Sequence, residues 1–245
     1  IGSQILTHYP ETIQIAKMIT SQEAALDLRQ SSTIFIPELA KDILEQIVFE
    51  ARKSEFVDVK SGVSARLSIT AFENLVSTAE RRLLHSGDDK TGIRMSDFTG
   101  IIPAITGKIE LVYEGEQEGA YNVALTLLGN AIKSLYSEFF PKIEKIEKQG
   151  VESPYDEIVS WFFNHSEDFE ILDDISEKDY RSILEKVKPL SEFVLKYQVG
   201  VTPEEVYFWQ EFVLWSLVEH KKLSKYRYAE GVQFKDPYGS FISGL

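Results

Sequence analysis

In this 245-residue chain the residues with the clearest chemical potential are Ser61-Gly62-Val63-Ser64-Ala65-Arg66. A glycine-bearing loop runs into apolar residues at helical spacing, and an arginine falls on the first turn. A cation at that end opposes the helix dipole, so something else must favour it. One reason would be an approaching anion, with backbone N–H groups and the guanidinium both aimed at phosphate. The other is an ion pair with a nearby carboxylate such as Asp58 or Glu55. Residue types and spacing leave both open.

Other chemistries lack a necessary part. Lys90-Thr91 supplies the last two letters of G-x-x-x-x-G-K-[ST], but Gly87 lies only three positions earlier and a helical pattern, not a strand, precedes it, so a surface turn is expected. No two of His8, His85, His165 and His220 stand three or four residues apart, so a helical metal site is missing and no metal ligand is assigned. His165-Ser166-Glu167-Asp168 reads as a helix end with a solvated acidic turn. Glu114, Glu116 and Glu118 lack the spacing of a calcium loop and read as a connector. A G-x-S-x-G elbow is absent, and with no cysteine the thiol nucleophile, the thiolate zinc site and the disulfide framework are excluded.

The elements that must carry these residues read as helices. Tyr9-Pro10-Glu11 starts a first one, continued by Ile13, Ala16, Ile19, Glu23 and Leu26 towards Arg29. A second begins near Pro37, with Leu39, Ile43, Ile47, Val48 and Ala51 as its stripe. A third runs from Ser64 to Leu84, burying Ile69, Phe72, Val76, Ala79 and Leu83, and these two stripes are expected to face each other. Ser96-Asp97 caps a short segment bent by Pro103, and Ala124, Leu128, Ala131, Leu135 and Phe139 form a further helix up to Pro141. Ser153, Ser176 and Thr202 each stand three residues before a carboxylate and open a later helix. Two-residue alternation is confined to Ile1–Leu6, and the aromatic, glycine-rich stretch from Tyr226 to Leu245 has no clear period. The fold class is all-α.

Charge narrows the partners. With 26 Lys+Arg against 39 Asp+Glu the net charge is -13, which disfavours nucleic acid and anionic membrane surfaces. From Val151 to Asp179 ten acids face one base, Lys178, for a local net of -9. No apolar run approaches a membrane span and no signal peptide opens the chain, so a cytoplasmic location is expected.

Five segments bear a family resemblance: Ile1-Gly2-Ser3-Gln4-Ile5-Leu6-Thr7-His8-Tyr9-Pro10, Phe49-Glu50-Ala51-Arg52, Ser61 to Leu67, Ala79-Glu80-Arg81-Arg82, and Ile101 to Lys108. Together they resemble bacterial AAA+ ATPases related to the magnesium chelatase ATPase subunit, over roughly residues 1–140. The resemblance implies that residues 1–9 are the tail of the α/β core, 10–107 the helical lid and 108–150 a connector and helix, with 151–245 a C-terminal helical domain of unknown role. It implies that Arg66 is the nucleotide-binding sensor-2 arginine. ATP and Mg²⁺ would be held mainly by a core preceding Ile1, the chain being a piece of a longer ATPase. The stretch itself then carries no catalytic residue, since it has no phosphate-binding loop. A homo-oligomeric ring and an unidentified protein partner are implied likewise. The competing expectation is a nucleotide-independent helical adaptor or regulatory module, favoured by the missing core, the acidic segment and an aromatic-rich end carrying Trp209, Trp215, Tyr226, Tyr228, Phe234, Tyr238 and Phe241. An exposed patch of these would suit a protein interface, while a buried core accounts for most of them more simply.

Overall fold

The computed structural model describes residues 2–143, 153–165, 169–228 and 230–237. Helix accounts for 62% of the described residues, with eleven α-helices among them, so the fold is mostly all-α. The chain order is α1 (Ile13–Glu23), α2 (Leu28–Thr33), β1 (Ile34–Phe35), α3 (Glu38–Lys53), α4 (Arg66–Ser86), β2 (Thr91–Gly92), a 3₁₀ helix (Met95–Ile101), α5 (Ile102–Thr106), α6 (Tyr113–Glu118) and α7 (Ala120–Phe139). The second half adds α8 (Asp156–His165), β3 (Glu170–Leu172), α9 (Glu177–Glu185), α10 (Lys188–Tyr197), α11 (Pro203–Glu219), β4 (Ser224–Arg227) and β5 (Gly231–Lys235).

The stripes read from the sequence are the buried faces of α3 and α4. Val48 is 1% exposed and Val76 0%, and the two helices pack together as expected. Arg52 and Lys53 close α3 with cations at the negative end of its dipole. Gly87 ends α4 in the left-handed region at φ 73°, where a side chain would be strained. α7 lies across α3 with Val123, Leu127, Ala131 and Leu135 buried, and its other side meets α11. From Phe208 to Leu217 every residue of α11 is buried, the mark of a helix surrounded on all sides. One apolar core thus runs from α3 through α7 into α11.

Some expectations need correcting. The first helix is two: the Thr12 hydroxyl caps α1, the backbone extends at Ala24, and Asp27 with Gln30 forms a capping box for α2. Pro10 lies outside both, and residues 2–10 form no strand. Glu114, Glu116 and Glu118 sit in the short helix α6 rather than a connector. The stretch after Tyr226 is not wholly irregular, because β4 and β5 pair antiparallel and β3 joins the other edge of β5. Ile171 lies opposite Val232 in that sheet, and Val232 and Phe234 turn into the core. The boundary expected between residues 150 and 151 lies outside the described residues.

Candidate functional site: an exposed arginine and a buried polar cluster on one helix

Two arginines near opposite ends of α4 have opposite environments. Arg66, on the first turn, is exposed and makes no ion pair among the described residues. The Asp58 carboxylate accepts instead from the Lys60 N–H at 2.8 Å and the Ser61 hydroxyl at 3.1 Å. At the helix start Ala65 supplies no side-chain cap and no acid lies in the first turn, as also at α7 and α10. Two of the first N–H groups are nevertheless taken up by Ser64: its hydroxyl accepts from the Arg66 N–H at 3.2 Å and its carbonyl from the Leu67 N–H at 3.0 Å. What faces outward for an anion is the exposed guanidinium at the positive end of the α4 dipole.

The loop before Arg66 is fixed from the N-terminal side. The Val63 N–H donates to the Tyr9 hydroxyl at 3.2 Å, and the Arg52 guanidinium lies 4.1 Å from the centre of the Tyr9 ring. Gly62 is needed here, since its φ is 72° and a Cβ would collide with the Tyr9 hydroxyl. Burial pulls the Arg52 guanidinium below its ordinary pKa, with Tyr9 and Glu45 opposing that pull. Glu45 is 1% exposed and accepts from the hydroxyls of Thr20 and Ser68. Burial nonetheless holds its carboxyl above the usual carboxylate range.

Arg82, four turns on, is 3% exposed. It donates to Asp97 at 2.8 Å and to the Gly92 carbonyl at 2.8 Å, with a further close bond to the Thr91 hydroxyl. Thr91 is therefore not a surface turn residue; its hydroxyl also donates to Glu177 at 3.2 Å, while Lys90 beside it is exposed. Asp97 accepts the Arg94 N–H at 2.7 Å. Arg94, 1% exposed, donates to Glu177 at 3.3 Å and to the Ile175 carbonyl at 3.2 Å, with its guanidinium 4.1 Å from the centre of the Tyr180 ring. Glu211 accepts from the Met95 and Ser96 N–H groups at 2.9 and 3.2 Å and from the Tyr180 hydroxyl at 2.9 Å. Burial raises the Glu211 carboxyl, and those hydrogen bonds act against the rise. Only faint signals in the sequence point to this cluster: an arginine on the apolar stripe of α4, and Gln210-Glu211 inside an otherwise apolar helix.

The remaining candidates carry no site. Nδ1 of His8, His165 and His220 each bonds a nearby backbone carbonyl, and among the described residues no three His, Asp or Glu converge on a metal position. The turn after His165 lies outside the described residues. Trp209, Trp215 and Phe234 are buried, so they form core rather than a surface patch; Tyr228 is exposed, and Tyr238 and Phe241 lie outside the described residues. No helix among the described residues is long and apolar enough to cross a membrane. Comparison with protein-family models, with curated proteins and with solved structures returns no match.

Proposed function

We propose that the chain is the lid and C-terminal helical region of a magnesium-chelatase-like AAA+ ATPase, which couples ATP binding and hydrolysis to remodelling of a protein partner. The observation that carries this reading is Arg66 on the first turn of α4, exposed and without an ion pair among the described residues. Tyr9 supports it by tying residues that would leave an α/β core directly to the loop in front of that arginine.

The reading asks Arg66 to approach the terminal phosphates of ATP, placing a planar, permanently charged fork where negative charge develops. Tyr9 and Gly62 hold the loop that sets where α4 begins. Mg²⁺ and most of the nucleotide would be bound by the α/β core that the resemblance implies. A homo-oligomeric ring and a cytoplasmic location belong to the same proposal. The rival reading, a nucleotide-independent adaptor, has lost its aromatic patch and rests on the exposed Ile15, Met18 and Ile19 of α1.

Steady-state ATP hydrolysis beside a thermal melt on the full-length protein separates the two. Arg66→Ala is expected to lower turnover roughly 10²–10³-fold, with stability within about 0.5 kcal/mol of wild type because the side chain is exposed and unpaired. Arg66→Lys should rescue poorly, since a point charge cannot reproduce the fork. The 245 residues alone are expected to show no turnover. Normal hydrolysis by the alanine variant would take Arg66 out of the active site.

A further inference from the structure

The halves of the molecule meet along two unlike contacts. One is an apolar seam between α7 and the second half, where Phe139 lies 5.0 Å from Trp209, Phe140 5.3 Å from Phe193 and Tyr136 5.8 Å from Phe212, ring centre to ring centre. The other is the polar cluster, in which Glu177 and Glu211 of α9 and α11 grip the 3₁₀ helix and the residues before it. Beside the cluster opens a crevice of about 480 Å³, with Phe35, Lys90 and Thr91 on one wall and Glu177, Arg181 and Glu204 on the other.

We propose that the polar cluster is a releasable latch and the aromatic seam its hinge. Aromatic packing is non-directional and loses its whole gain when water enters, so the seam holds through a small rotation. Hydrogen bonds are directional, and because water takes up the groups they free, each one given up on opening costs far less than the whole bond. Glu177 is where that exchange starts: its side chain is 18% exposed at the crevice edge, and it joins Arg94, Thr91 and Arg181. Its N–H also donates to Asp88 at 2.8 Å, across the gap. The closed state carries a built-in cost, because Nε and Nη1 of Arg94 are buried without a partner. Opening hydrates both, so the closed and open arrangements lie nearer in energy than a fully satisfied network would allow.

Arg82 connects the latch to α4, and the sixteen helical steps from Arg66 to Arg82 span roughly 24 Å of one continuous helix. A displacement of the Arg66 end is therefore delivered to Asp97, Thr91 and the carboxylates across the crevice. Only the identity of what moves that end, a nucleotide, rests on the proposed function; the latch itself does not.

The chain has no cysteine, so spin labels can be placed at Lys90→Cys and Glu204→Cys, on opposite walls of the crevice, and their separation measured by pulsed dipolar spectroscopy. A single narrow distance is expected for the parent protein. Glu177→Gln, and separately the milder Asp88→Ala, should add a longer-distance population. A control pair at Lys196→Cys and Glu204→Cys, both in the second half, should not change. Unchanged distances in both variants overturn the latch, as does an equal change in the control pair, which would report general loosening. In the full-length protein, ATP should alter the Lys90–Glu204 distance. A response to the latch substitutions but not to ATP would keep the latch and overturn the nucleotide link.

Discussion

Asp97→Asn tests the energetics of the buried cluster with one atom pair changed. The amide oxygen can still accept the Arg94 N–H that Asp97 holds at 2.7 Å, so the backbone of the 3₁₀ helix keeps its partner. What disappears is the counter-charge of Arg82, whose side chain is 3% exposed and donates at 2.8 Å to that same oxygen and at 3.4 Å to the one replaced by the amide nitrogen. Removing one partner of such a pair leaves an uncompensated buried charge and costs about 3–5 kcal/mol. In urea that is a fall of about 1–2 M in midpoint at a slope near 3 kcal/mol/M. Arg82→Met on the same background removes the stranded charge while keeping most of the volume. The double variant should therefore recover much of the loss, because a buried pair replaced by well-packed neutral groups is often neutral or stabilising. The assay is urea unfolding of the wild type, both single variants and the double variant at constant pH. A cost below about 1 kcal/mol for Asp97→Asn, or a double variant as unstable as the sum of the singles, would refute the buried-charge account.

Two further outcomes concern pH. Lys225 lies with its ammonium 3.3 Å from the centre of the Trp215 ring, near Glu219, Glu211 and Arg227, and burial pulls it down to about 8 from 10.5. The unfolded chain binds the extra proton between those values, so wild-type stability should rise from pH 8 to 10.5 relative to Lys225→Met, measured by denaturant titration across that window. Glu45 runs the other way: burial raises its carboxyl above 4.5, so the folded state holds the proton more tightly than the unfolded chain does. Wild type should lose stability relative to Glu45→Gln as pH climbs from 4.5, and parallel curves would show that Glu45 is not held as a buried acid.

What the sequence reveals of this fold is what local physics determines. The stripe of α3 from Leu39 to Ala51 and the caps at Ser176 and Thr202 need only neighbours within a few turns, and they stand where the spacing put them. Thr12 and Asp27 were equally local signals; they were overridden by an apolar period that continues across the break at Ala24. The β4–β5 hairpin hides because its alternation, Val232 and Phe234 inward with Gln233 and Lys235 between, spans too few residues to stand out. The polar cluster is illegible for another reason. Glu211 reaches the Met95 N–H across 116 positions, so nothing near either residue announces the bond.

The two arginines of α4 also show why one kind of residue cannot be assigned a role by type. Arg82 lies on the apolar stripe beside Ala79 and Leu83, and desolvation there is tolerable only because Asp97, Thr91 and the Gly92 carbonyl absorb its donors. Its charge is spent inside the fold. Among the described residues the Arg66 guanidinium has no such partner, and its position works against the dipole of its own helix. A side chain that adds nothing to the core and slightly opposes its own helix is free to be selected for what it meets outside the chain. That contrast, more than the presence of an arginine, supports a ligand-facing role for Arg66. It also separates the two residues experimentally: loss at position 82 should be read as unfolding, and loss at position 66 as chemistry.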